Sequence, residues 1–170
     1  QGSLIGTRYP DSGSDQPYKH FVDLNGSTLS GISLDKIVIL LKICQQEYEF
    51  IANRIDIALD FPMQSPRLSY YSWESFVANN LLFNYRSVKR ISNLGRNKTG
   101  TTVYLGSRES EIYVRIYDKN IDGVDYDRLE IEFKRERAKS IMNQMCDCNF
   151  SELPKLLDNI VCGQINFKED

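Results

Sequence analysis

Three short segments hold the residues best suited to chemistry. RIDIALD carries Arg54, Asp56 and Asp60; EIYVRIY carries Tyr113, Arg115 and Tyr117; DRLEIEFK carries Arg128, Glu130, Glu132 and Lys134. In each, apolar residues fill the alternate positions: Ile55, Ile57 and Leu59, then Ile112, Val114 and Ile116, then Leu129, Ile131 and Phe133. Successive strand side chains point to opposite faces, so each segment has one apolar face and one face of ionisable groups. If the three strands lie near one another in one sheet, their polar faces form one floor. That floor holds Asp56, Asp60, Glu130 and Glu132, with Arg115 and Tyr117 beside them. Carboxylates held so close repel unless something cationic sits among them, either arginine or a divalent metal with hard oxygen ligands. The plain alternative, tyrosines that pack and acids that pair with Arg54, Arg115 and Arg128, stays open at this level.

The elements that must position these groups are legible in outline. Residues 1–18 are rich in Gly, Ser, Asp and Pro and read as a flexible lead-in; 19–170 read as a single domain. HFVDL, Asn25-Gly26 and STLSGI suggest a hairpin, because Asn-Gly supplies the positive φ of a tight turn. Lone His20 belongs to that strand or its edge. Ser33 is a candidate N-cap for a helix over Leu34–Tyr48, with Leu34, Ile37, Val38, Leu41 and Tyr48 near one face. Pro62 and Pro66 end the RIDIALD strand, and Ser72 begins a short helix, WESFVANNLLF. YRSVKRIS reads as a basic strand, Gly95–Gly100 as a turn, and NIDGVD as a hairpin loop in which Asp122 and Asp125 serve the turn. A helix over Arg135–Met145, one capped by Ser151 with Pro154 in its first turn, and an edge strand in GQINF complete the chain. The fold class is therefore α+β: a largely antiparallel sheet with helices packed on one face and a catalytic cleft on the other.

Composition narrows the class. The chain has 170 residues, 41% hydrophobic and 26% charged, as in a globular protein with a real core. No apolar run approaches the roughly 18 residues of a membrane span and no basic-then-apolar leader opens the chain, so a cytoplasmic protein without a membrane partner is expected. Cys44, Cys146, Cys148 and Cys162 match neither a disulfide framework nor a zinc pattern and read as reduced thiols. A net charge of −2 argues against indiscriminate coating of nucleic acid. Two basic stretches, Arg86, Lys89, Arg90, Arg96 and Lys98, then Lys134, Arg135, Arg137 and Lys139, suit either phosphate contacts or a solvated surface.

RIDIALD, then TTVYLGSRESEIYVRIYDK, then RLEIEFKRERA together resemble the replication initiation factor family, Rep_trans, the plasmid rolling-circle initiator proteins and related conjugative-element relaxases. The similarity runs from about Phe21 to Lys139 in matching order. FVDLNGSTLSG echoes the family's strand and turn, and YxGSRxSxxxxRxYDK fixes many positions. The resemblance implies metal-dependent, site-specific nicking and joining of a DNA strand: the protein becomes linked to the 5′ end and leaves a 3′ hydroxyl. It places the nucleophile at Tyr117, with Arg115 two residues before it, and a divalent ion, Mg2+ or Mn2+, on Asp56, Glu130 and Glu132, with Asp60 at the strand end added. The family lacks the two-histidine metal motif of other nickases, which agrees with a single histidine here. Arg108 in the GSR turn and Lys119 become phosphate candidates, beside Arg86, Lys89, Arg90 and Lys134. The partners so implied are DNA, single-stranded or as an extruded origin hairpin, and a helicase; a homodimer is compatible. Two other classes stay open, a metal-dependent nuclease that activates water and a non-catalytic DNA-binding module.

Overall fold

The computed structural model describes residues 4–8, 19–62, 88–95 and 98–165, with side chains over 21–61 and 102–165. The chain divides into two compact units, Gln1–Phe50 and Ile51–Asp170.

In the first unit, β1 (Leu4–Arg8) and β2 (Lys19–Asp23) pair antiparallel, with His20 opposite Thr7. The lone histidine thus lies on a strand, as expected. The hairpin expected at Asn25-Gly26 does not form. Asn25 keeps an extended backbone (φ −77°, ψ 164°) and its side-chain oxygen accepts the Thr28 N–H at 2.9 Å, capping a single helical turn, α1 (Gly26–Leu29). Asparagine serves caps as readily as turns, and β2 draws its partner from upstream. Next comes α2 (Leu34–Tyr48), which begins directly after Ser33, although Ser33 makes no side-chain capping bond. Val38 is fully buried, with Leu34, Ile37 and Leu41 half-buried beside it. Tyr48, expected on this face, is instead 76% exposed, and Glu49 ends the helix in the left-handed region at φ 50°.

The second unit is built on one antiparallel sheet. Its strands are β3 (Arg54–Pro62), β4 (Val88–Gly95), β5 (Lys98–Leu105), β6 (Ile112–Ile121) and β7 (Val124–Lys134), in the order β3-β7-β6-β5-β4. Two helices follow, α3 (Arg135–Asp147) and α4 (Leu153–Cys162). The α+β class read from the sequence is the observed one. Val103, Leu105, Val114, Ile116, Leu129, Ile131 and Phe133 are buried along the apolar face. On α3 the buried Ala138, Ile141, Met142, Met145 and Cys146 recur at helical spacing, and this helix packs on β3 and β7. Asp127 is the charged residue buried among the strand residues of this face, while the other buried acid, Glu132, lies on the polar face. Asp127 Oδ2 has no hydrogen-bond partner, and burial, with Asp118 directly across the ladder, pushes the Asp127 pKa up.

Two corners set the register. Between β6 and β7, Asp122 (φ 51°) and Gly123 (φ 84°) both adopt positive φ, as a two-residue type I′ turn requires. The Asn120 side chain closes it, accepting the Gly123 N–H at 3.1 Å and donating to Asp125 at 2.7 Å. At the other end β7 runs straight into α3. Arg135 adopts φ 50°, its N–H donates to the Asn53 carbonyl at 3.0 Å, and the Lys134 N–H donates to Glu111 at 2.8 Å. This corner ties together the beginnings of β3 and β6 and the end of β7.

Near the C-terminus Pro154 sits in the first turn of α4 as expected, but the N-cap position is Glu152, one residue after Ser151. Residues 163–165 turn back on α4 through Ile165 N–H to Val161, so the expected edge strand does not start there; the rest of GQINF lies outside the described residues. The expected WESFVANNLLF helix, Tyr70, Tyr71 and Arg86 also lie outside them. Cys44, Cys146, Cys148 and Cys162 are not joined by disulfides in this structure.

A Cβ on Gly123 would meet nothing within 4 Å, so only its backbone conformation resists substitution. Gly123→Ala is therefore expected to lower stability by about 1–2 kcal/mol, the cost of a left-handed L-residue. Urea unfolding measures this, and a loss below a few tenths would mean that the turn does not constrain the hairpin.

Candidate active site

Strand pairing converts three stretches of alternation into one surface. β3 and β7 set Asp56 opposite Glu132, Ala58 opposite Glu130 and Asp60 opposite Arg128. β6 and β7 set Tyr113 opposite Glu132, Arg115 opposite Glu130 and Tyr117 opposite Arg128. Cross-strand neighbours lie about 4.5–5.5 Å apart at Cβ, near enough for ionic side chains to meet directly. Ala58 matters by being small, since it stands in the polar row beside Glu130 and Arg115.

The cationic partner of the carboxylates is arginine. Arg115 Nη2 lies 2.6 Å from Glu130 Oε1, 3.5 Å from Asp56 Oδ2 and 3.6 Å from Glu132 Oε2. Arg54 grips Asp56 with both forks at 2.7 and 2.5 Å and reaches Glu132 at 2.9 Å. Lys134 Nζ lies 2.8 Å from Glu132 Oε1, donates to the Arg108 carbonyl, and sits 5.8 Å from the centre of the Tyr113 ring. Three carboxylates are thus balanced by three cations. The Glu132 side chain is only 6% exposed, and a carboxylate so deep requires such partners.

Tyr117 joins the cluster through Glu130. Its hydroxyl donates to Glu130 Oε2 at 2.7 Å while Oε1 of the same carboxylate holds Arg115. Burial and this bond to an anion push the Tyr117 pKa up to about 12, with Arg128 acting in the opposite direction. At neutral pH it is therefore a phenol already in contact with a base. Tyr113, the other tyrosine of the row, is buried and stacked on Tyr104 with ring centres 5.6 Å apart; burial raises its pKa, as does Tyr104 to a lesser extent.

Asp56, Glu130, Glu132, Arg115 and Tyr117 are brought together as the sequence suggested. Asp60 is not in that group, because Arg128 holds it with two contacts of 2.6 Å. Lys119 extends the Tyr113, Arg115, Tyr117 row by one position, opposite Tyr126. Arg108 is exposed in the turn between β5 and β6. By register Lys89 lies in the row of Tyr104 and Arg115, whereas Arg90 lies in that of Val103 and Ile116. Arg54 and Arg128 entered the sequence reading only as partners that could neutralise the acids, and they are found paired with Asp56, Glu132 and Asp60. The spacing of Arg54 from Asp56 could have revealed the first, but Arg128 meets Tyr117 only through the β6–β7 register.

Hard oxygen donors suit Mg2+ or Mn2+, yet the point where these three carboxylates converge holds Arg115. Among the described residues no three His, Cys, Asp or Glu side chains are grouped so as to hold a metal ion. A resident divalent ion does not fit this arrangement unless Arg115 leaves it.

These features define an α+β domain that presents a base-bonded tyrosine among paired charges on the polar face of its sheet. The family described as replication initiation factor, Rep_trans, matches residues 51–170, and the chain belongs to that family. Its members are replication initiators, which act on DNA. The match lies within the second unit, which carries the whole of this site. No curated protein and no solved structure shows a significant match to the chain. No helix among the described residues is long and apolar enough to cross a membrane.

If Arg115 and a divalent ion compete for the same oxygens, Arg115→Ala should bind Mn2+ roughly tenfold more tightly than the wild-type chain in calorimetry without DNA. Equal affinities would show that any ion enters elsewhere.

Proposed function

We propose that this chain is a rolling-circle initiator or relaxase that cuts one DNA strand with Tyr117 and keeps the 5′ phosphate as a phosphotyrosine. The observation that carries the reading is the 2.7 Å contact from the Tyr117 hydroxyl to Glu130. A phenol is a poor nucleophile at neutral pH, the more so when its pKa is raised, and it needs a base already in hydrogen-bond reach. Glu130 meets that need, and Arg115 on its other oxygen fixes the orientation of the carboxylate.

In the step itself the phenolic proton passes to Glu130 and the Tyr117 oxygen forms a bond to phosphorus. The bond from phosphorus to the 3′ oxygen breaks, and its electron pair stays on that oxygen, which takes a proton from water. The energy of the phosphodiester is kept in the phosphotyrosine, so the reverse attack by a 3′ hydroxyl rejoins a strand. Arg115, at the centre of the carboxylates, is the cation nearest to Glu130 and supplies positive charge beside the reacting phosphate. Lys119, next along the row, and Arg108, exposed in its turn, are positioned to hold flanking phosphates of single-stranded or extruded DNA. Each of these roles falls to a side chain of this chain.

Tyr117→Phe should abolish covalent attachment while leaving DNA affinity within about threefold, because only a hydroxyl is removed. The assay uses 3′-labelled single-stranded DNA tiling the chain's own coding DNA and its flanks, resolved on a denaturing gel. Labelled protein from the phenylalanine variant would rule out Tyr117 as nucleophile, and free cut DNA without labelled protein would favour activated water. Glu130→Gln keeps a hydrogen-bond acceptor but is a far weaker base, so adduct formation should slow by about 10²–10⁴-fold. An unchanged rate would assign the proton to another group.

A further inference from the structure

Thr102, Tyr117, Arg128 and Asp60 stand side by side across β5, β6, β7 and β3. Arg128 Nε and Nη2 each lie 2.6 Å from an Asp60 oxygen, a side-on fork that fixes the guanidinium plane. That fork uses two of its five N–H groups and leaves three others to donate. On its other side, directly across the β6–β7 ladder, stands Tyr117, within reach of a guanidinium at a paired cross-strand position. Tyr117 therefore lies between a carboxylate that takes its proton and an arginine that steadies the resulting charge.

We propose that Arg128 is a second catalytic residue of the nicking reaction, stabilising negative charge on the Tyr117 oxygen as its bond to phosphorus forms and breaks, and that Asp60 is the residue that positions it. The proposal rests on the nicking function put forward above. The pair has little to offer to stability. Arg128 and Asp60 keep 21% and 30% of their side-chain surface exposed, and ion pairs that open to water contribute little. Its directional value is greater, because a donor held in place before the reaction needs no rearrangement when charge develops. Arg115 does not duplicate this role: its contacts are to Glu130, Asp56 and Glu132. Rejoining uses the same oxygen as a leaving group, so Arg128 serves both directions of the transesterification.

The test measures single-turnover adduct formation and DNA dissociation constants in parallel, on the 3′-labelled strands described above. Arg128→Gln is expected to slow adduct formation about 10²–10³-fold, as loss of an aimed donor does, with DNA affinity changed less than threefold. Added guanidinium ion should restore part of the rate to that variant, an effect that a merely structural residue would not produce. Arg128→Lys, which keeps the charge without the fork, should fall between it and the wild type. Asp60→Asn should slow the reaction about tenfold, and the double variant Asp60→Asn, Arg128→Gln should be no slower than Arg128→Gln alone, since Asp60 acts only through Arg128. Thermal melts of all four confirm that the sheet is formed, and Arg128→Lys carries the test if the glutamine variant does not fold. Wild-type adduct with an undiminished rate in Arg128→Gln, or in Arg128→Lys if the glutamine variant does not fold, overturns this inference alone. Full additivity in the double variant removes the role of Asp60. A wild-type chain that forms no adduct overturns the nicking function and this inference with it.

Discussion

Charge compensation on the polar face of the sheet is the constraint on which the site depends. Asp56, Glu130 and Glu132 occupy neighbouring positions of two paired strands, and Glu132 is almost wholly buried. Left unpaired, such a carboxylate would lose several kcal/mol of solvation or take up a proton. Arg54, Arg115 and Lys134 remove that penalty because they come from positions that the register brings to the same spot. The arrangement costs little conformational freedom, since short strand spacings and ion pairs orient one another.

The same compensation gives Tyr117 its chemistry. Arg115 holds one oxygen of Glu130, and that leaves the other oxygen to accept from the phenol. A phenol in this setting is harder to ionise than in water, so reactivity depends on transferring its proton in place and not on a standing phenolate. The core beneath is apolar by contrast, alternating Ile, Leu, Val and Phe with α3 packed on β3 and β7, and is interrupted only at Asp127 among the described strand residues of that face.

Much of this was legible beforehand, for identifiable reasons. RIDIALD, YVRIYDK and RLEIEFK alternate too regularly to be helices, and the strands follow the pattern closely. The α2 helix begins at Leu34 as its spacing suggests, and Asp122-Gly123 turns as a hairpin must. Asn25-Gly26 misled because the same asparagine caps α1, and nothing local distinguishes a cap from a turn when the strand partner lies upstream. Asp60 looked like one more acid of the floor. Its neighbour across the ladder is Arg128, one row from Glu130 and two from Asp56 and Glu132, and spacing within one strand does not carry that information.

By itself the sequence determined which residues share a face, because side-chain direction in a strand depends only on parity along the chain. It also determined the family, through motifs whose order survives in residues 51–170. Only the tertiary structure decided which charge meets which. Pairing depends on the register of β3, β6 and β7, and register is set by the Asp122-Gly123 turn and by the Asn53, Glu111 and Arg135 corner, through contacts between residues far apart in the chain. That register puts Arg115 among three carboxylates, and Tyr117 between Glu130 and Arg128.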